Sequence, residues 1–176
     1  MALSPEQISA ARDFADHIGH SLGIGDVVSL RTAIAAAGRM AGTFLFRSYS
    51  LALADAKAGT VLRASVAGES GAELIRLIAG ALARMNIRVD EQNVDISTGA
   101  EGLPGFLETQ ALLEPALTLI KEKYNLGYAE SAQAAAVATA ILIKVGEKHL
   151  AADSAFSIAV YGLIEGTKTV PRGLRD

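Results

Sequence analysis

Four side chains near the start of the chain have the types and the spacing of metal ligands. Asp13, Asp16, His17 and His20 stand at positions i, i+3, i+4 and i+7, so on a helix all four project from one face. Carboxylate and imidazole groups together bind zinc, manganese or iron when a neighbouring helix or a second subunit completes the coordination shell. The same spacing is typical of the solvated face of a helix, which needs no further ligand. We therefore predict no metal site, and keep Asp13, His17 and His20 as the alternative metal-binding set.

A serine in the same region matches the pattern of a hydrolase nucleophile. Residues 19–23 read Gly-His-Ser-Leu-Gly, and the G-x-S-x-G pattern exposes a catalytic serine on a turn between a strand and a helix. A helical pattern precedes Ser21 here, where the motif requires a strand. We interpret the segment as a helix that ends at glycines, with His20 near the end where the dipole favours a cation. We predict no catalytic residue at this position.

Arg39 is a charged residue in the middle of the most apolar helical segment. A charge in such a segment must reach the surface, pair with a carboxylate or bind an anionic ligand. We predict a structural ion pair and keep ligand binding as the alternative.

Two further segments match nucleotide or nucleic-acid motifs only in part. Residues 162–169 contain the Gly, Lys and Thr of a phosphate-binding loop, but Thr167 interrupts the contiguous Gly-Lys-Thr that the loop needs. Residues 44–49 interleave aromatic and basic side chains, as single-stranded nucleic acid binding requires. That pattern occurs once, in a chain with a net charge of −3, whereas nucleic acid binding favours a basic surface. We predict no nucleic acid partner.

The elements that must position these residues are predicted to be helices. Apolar residues recur with the helical period in six segments. The predicted helices span residues 5–22, a segment capped by Asp26, residues 73–85, 105–124 and 130–150, and a last segment from residue 153. Residues 87–96 alternate apolar and polar around a turn, which is typical of a short β-hairpin. Residues 167–176 are predicted to form a flexible tail.

Composition supports an all-α fold. The 176 residues are 51% hydrophobic, but aromatic residues make up only 5% and cysteine is absent. Alanine accounts for most of the excess and has the highest helix propensity. The lack of cysteine excludes disulfides, thiolate metal sites and thiol nucleophiles. We predict one domain over residues 1–176, a bundle of about five to seven helices, in which Gly38 and Gly42 let another helix approach closely.

These observations favour a soluble, non-enzymatic helical protein that acts through self-association or docking to a protein partner. The apolar excess indicates helical surface buried between subunits, and a two-fold homodimer is the commonest closed assembly. We predict no cofactor, no membrane association and, because no secretion signal is evident, a cytoplasmic location. The alternative is a small-molecule or metal-binding protein, or an enzyme, with a site between helices.

Overall fold

The structure, a computed structural model, describes residues 3–49, 53, 56–63, 68–98 and 102–173. Within these residues the chain forms six α-helices and no β-strand, which confirms the predicted all-α bundle. The helices are α1 (Pro5–Leu22), α2 (Val27–Ser48), α3 (Gly68–Arg84), α4 (Phe106–Lys123), α5 (Tyr128–Val145) and α6 (Ala152–Lys168), and one 3₁₀ turn spans Ile96–Thr98.

The first two helices begin at the residues whose side chains cap them. The Ser4 hydroxyl accepts a hydrogen bond from the Gln7 amide at 3.2 Å, and the Gln7 side-chain oxygen accepts one from the Ser4 amide at 2.9 Å. At α2, the Asp26 carboxylate accepts bonds from the Ser29 amide at 2.9 Å and the Ser29 hydroxyl at 2.7 Å. These bonds hold the pKa of Asp26 below its usual value. The cap predicted at Asp26 is therefore confirmed.

Helices α2 and α6 cross at a contact built from four glycines. Gly38 and Gly42 face Gly162 and Gly166, and a Cβ atom added to Gly42 would lie 2.8 Å from the Cα of Gly166. A Cβ added to Gly162 would lie 3.1 Å from the amide nitrogen of Arg39. The two backbones are thus in direct contact, and only glycine allows this separation. The close approach predicted at Gly38 and Gly42 is confirmed.

The core surrounds α2, which is buried almost without interruption from Leu30 to Phe46. Helix α5 packs against it through small side chains, and its alanines at 132, 134–136, 138 and 140 are all fully buried. From α1, the ring of Phe14 lies 5.9 Å from that of Phe44. The small buried residues of α2 and α5 let these helices pack closely and contribute much of the high alanine content.

The β-hairpin predicted at residues 87–96 is wrong. The amide of Asp90 donates to the Asp153 carboxylate at 2.9 Å, and the amide of Asp95 donates to the Ser157 hydroxyl at 3.2 Å. Both acceptors belong to α6. Two backbone donors of this segment therefore bind side chains of a helix instead of a second strand, while Ile87 is buried in the core.

The flexible tail predicted from Thr167 also needs correcting for residues 167–173. Helix α6 continues to Lys168, and Thr169 and Val170 are buried. The amide of Val170 donates to the carbonyl of Thr60 at 2.9 Å, and its carbonyl accepts from the amide of Gly59 at 2.8 Å. Apolar burial and backbone pairing with residues 59–62 hold this part of the chain. Residues 174–176 lie outside the described residues.

None of the described helices, taken singly, has the length and apolarity of a membrane span. Helices α4 and α5 pass that test only as a pair, with a bend of 113° between them.

Candidate functional site

Arg39 has its partners inside the protein. Its Nε donates to Glu165 at 2.6 Å, and its Nη1 donates to the Pro104 carbonyl at 2.8 Å and to the Thr109 hydroxyl at 2.9 Å. The residue is only 4% exposed. The predicted ion pair is confirmed. It ties α2 to α6 and to the segment that leads into α4, so its guanidinium has a structural role.

The same environment raises the pKa of Tyr161. Burial of its phenol is the main cause, and the negative charge of Glu165 adds to it. Tyr161 therefore stays neutral beside the ion pair at physiological pH.

A second arginine, whose side chain is largely buried, holds residues 172–173 against α4. The Arg47 Nε donates to the Glu114 carboxylate at 2.5 Å, and its Nη2 donates to the carbonyl of Arg172 at 2.5 Å. Gln110 bridges the same groups: its amide donates to Glu114 at 2.5 Å, and its oxygen accepts the Arg172 amide at 3.1 Å. We call Arg47, Gln110, Glu114 and Arg172 the Arg47 cluster.

Of these two arginines, the sequence predicts an ion pair only for Arg39; Arg47 entered only through the aromatic and basic pattern of residues 44–49. The available signal was spacing, because Arg39, Thr43 and Arg47 recur every four residues and so share one stripe of α2. Thr43 is fully buried, and its hydroxyl has no hydrogen-bond partner among the described residues. A polar stripe in an apolar helix predicts partners on a neighbouring helix, and α4 and α6 supply them for the two arginines.

A groove of about 520 Å³ opens beside the Arg47 cluster. Its walls are formed by that cluster, by Gly173, and by Ala111, Pro115, Thr118 and Tyr128. Arg47 and Glu114 pair with each other in its wall, with their side chains only 11% and 12% exposed. Ala111, Pro115 and Tyr128 add apolar wall area, and the exposed side chain of Arg172 adds a positive charge.

Asp13 is engaged by α4. Its carboxylate accepts a bond from the Lys123 ammonium at 2.8 Å and from the Tyr124 hydroxyl at 2.9 Å. The bond to Lys123 is the main reason why the pKa of Asp13 is lowered, and the pKa of Lys123 is raised in return.

The histidines of α1 also bind locally. The His20 Nδ1 lies 2.7 Å from the carbonyl of Asp16, and the His17 Nε2 lies 3.3 Å from the hydroxyl of Ser21. Among the described residues, no three His, Asp or Glu side chains lie close enough to hold a metal ion. Ser21 lies in the last turn of α1 and is not preceded by a strand, so the nucleophile-elbow geometry is not formed.

The outward side of α4 carries large apolar side chains in water. Leu112 is 52% exposed and Leu119 is 67% exposed, whereas Leu113 and Leu117 of the same helix are fully buried. Helical spacing places the exposed side chains on one stripe, which we call the α4 outer face. Its members are Glu108, Ala111, Leu112, Pro115, Leu119, Glu122 and Lys123.

The α4 outer face borders the groove, because Ala111 and Pro115 belong to both. The sequence predicts helical surface buried between subunits but does not locate it, because periodicity alone does not show which apolar residues of a helix stay exposed. Comparisons of the chain with protein-family models, curated proteins and solved structures found no match.

Proposed function

We propose that the protein is a non-enzymatic helical protein that acts by docking to another protein chain through the α4 outer face. The observation that carries this proposal is the exposure of Leu112 and Leu119 on one stripe of a regular helix. Single exposed apolar residues are common on protein surfaces, but a contiguous apolar patch marks an interaction site. The partner is either a second copy of the chain or a different protein.

The chemistry around the stripe is that of a protein interface. Glu108, Glu122 and Lys123 are exposed at its ends, and a charged rim around an apolar centre is the usual anatomy of such a contact. The groove beside Pro115 provides a concave site for one side chain of the partner. Side chains that fill such pockets contribute much of the binding energy of an interface.

The alternative function, small-molecule or metal binding between helices, has less support. Arg39 and Asp13, the side chains on which it depends, already bind Glu165 and Lys123. A cytoplasmic location without nucleic acid or membrane partners forms part of our proposal, and imaging of a tagged chain in its own cell tests it.

Site-specific photo-crosslinking in living cells tests the proposal. A photoreactive amino acid is placed at Leu119, and the matched control carries it at Val28. Val28 is 70% exposed, so both probes meet the solvent equally, but Val28 lies at the start of α2. We expect ultraviolet light to give a discrete protein adduct from position 119 and none from position 28.

Two further results decide the test. Leu112→Glu should abolish the adduct from position 119. Its charge would lose its hydration at the centre of an apolar contact, and this cost weakens binding. The same adduct pattern from positions 119 and 28, or an adduct that persists with Leu112→Glu, would contradict the proposal.

A further inference from the structure

We propose that the occupant of the α4 outer face is a second copy of this chain, packed with its α4 antiparallel to the first. This inference rests on the proposed function and adds the partner and its orientation. The two-fold axis passes between Pro115 and Ala116, halfway along the exposed stripe.

The distribution of apolar residues on α4 matches this symmetry. Leu112 and Leu119 lie equally far from the midpoint between Pro115 and Ala116. A two-fold axis at that point therefore places Leu112 of each copy beside Leu119 of the other. A two-fold contact must be self-complementary in this way, because each copy contributes the same surface.

The charges at the two ends of the stripe favour the antiparallel orientation. Glu108 and Lys123 are also equally far from the midpoint, so the axis sets Glu108 of one copy against Lys123 of the other. A parallel pair would instead set Glu108 against Glu108, and like charges in contact destabilise an interface. Lys123 binds Asp13 and is still 61% exposed, and its ammonium has further donors for a second carboxylate.

Glu122, the third charged residue of the α4 outer face, also meets a basic residue of the other copy. Glu122 lies on the side of α4 that borders the groove, and antiparallel packing brings it to the level of Thr109 on the other copy, next to Gln110. Gln110 binds the backbone of Arg172, whose exposed side chain lines that groove. Each end of the stripe thus joins an acidic residue to a basic one.

Introduced cysteines test the arrangement cleanly, because the chain contains no cysteine of its own. Three single variants are prepared: Glu108→Cys, Lys123→Cys and Pro115→Cys. A short bismaleimide is added to each variant alone and to a refolded equimolar mixture of Glu108→Cys and Lys123→Cys. Arg76→Cys, at an exposed position of α3, is the control, and the helical circular dichroism of each variant verifies its fold.

We expect Pro115→Cys to link to itself, since it lies beside the axis. We expect Glu108→Cys and Lys123→Cys to link only in the mixture. In an antiparallel pair the two copies of either residue are separated by ~22 Å along the helix axis, at 1.5 Å per residue. The control should remain monomeric on a denaturing gel.

Other outcomes overturn the inference in distinguishable ways. Self-linking of Glu108→Cys and of Lys123→Cys without a mixed product would show a parallel pair. Failure of every α4 variant to link would show that no second copy occupies this face. A photo-adduct from position 119 with a different protein would then leave the proposed function intact. Absence of that adduct as well would contradict both the inference and the proposed function.

Discussion

The glycine contact between α2 and α6 makes a sharp prediction about stability. In Gly42→Ala the new methyl group would lie 2.8 Å from the Cα of Gly166, whereas carbon atoms pack comfortably at ~3.5–4.0 Å. The obstructing atoms are backbone, so no side-chain rotation relieves the clash and the two helices must separate. Overpacking of this kind costs about 1–3 kcal/mol, and the rigid surroundings put Gly42→Ala at the upper end. Alanine returns about 1 kcal/mol through its better helix propensity, which leaves a net loss of about 2 kcal/mol.

Gly80→Ala is the matched control for this substitution. Gly80 is an exposed residue within α3, and no described atom lies within 4 Å of the position of an added Cβ. Its substitution should therefore stabilise the protein by about 0.5–1 kcal/mol through propensity alone. Urea denaturation followed by circular dichroism gives both free energies of unfolding. Equal stabilisation by the two alanines would refute the close contact of α2 with α6.

Three further substitutions test the interactions that position the helices. Glu165→Gln leaves Arg39 without its carboxylate. Because Glu165 is partly exposed, we expect the free energy of unfolding from urea denaturation to fall by about 2–3 kcal/mol, less than for a fully buried pair. Ser4→Ala removes the cap of α1 and should lower the free energy of unfolding by about 1 kcal/mol; an unchanged value in the same assay would count against the cap. Asp13 has a lowered folded-state pKa because of Lys123, so its contribution is present above the unfolded pKa of ~3.9 and is lost as the pH falls through the folded value. Asp13→Asn should therefore destabilise the protein at pH 7 and reduce the loss of stability on acidification, as thermal melts between pH 7 and pH 3 would show; parallel pH profiles would disprove this coupling.

The sequence predicts the starts of α1 and α2 because the signals that set them are local: Ser4 with Gln7, and Asp26 with Ser29, form caps within a single turn. Helix α3, by contrast, begins at Gly68, before the predicted start at residue 73. The close helix contact at Gly38 and Gly42 was also visible, since small residues at this spacing leave a groove in the helix surface.

The errors arose where distant residues decide the local structure. The segment at 87–96 has the alternation of a hairpin, but side chains of α6 accept hydrogen bonds from its Asp90 and Asp95 amides. The partner glycines at Gly162 and Gly166 were interpreted as part of a failed phosphate loop, because nothing local connects them to α2. Helix α5 was predicted to reach Leu150, yet it ends at Val145, and the following Gly146 packs against Leu30.

The candidate site was harder to predict than the fold. Periodicity gives the apolar residues of α4, but only the packing of α1, α2 and the chain end shows which of its leucines remain in water. The buried position of Arg47 likewise depends on Glu114 and on residues 172–173, which are remote in sequence. Such contacts have no local signature beyond the four-residue spacing of Arg39, Thr43 and Arg47.

Native mass spectrometry of the purified chain, beside its Leu119→Glu variant, tests the central claim most directly. Association through the α4 outer face predicts a wild-type species of twice the 18.2 kDa chain mass and a monomeric variant that keeps its helical circular dichroism. A wild-type chain that is monomeric throughout a concentration series, or a dimer unaffected by Leu119→Glu, would contradict it.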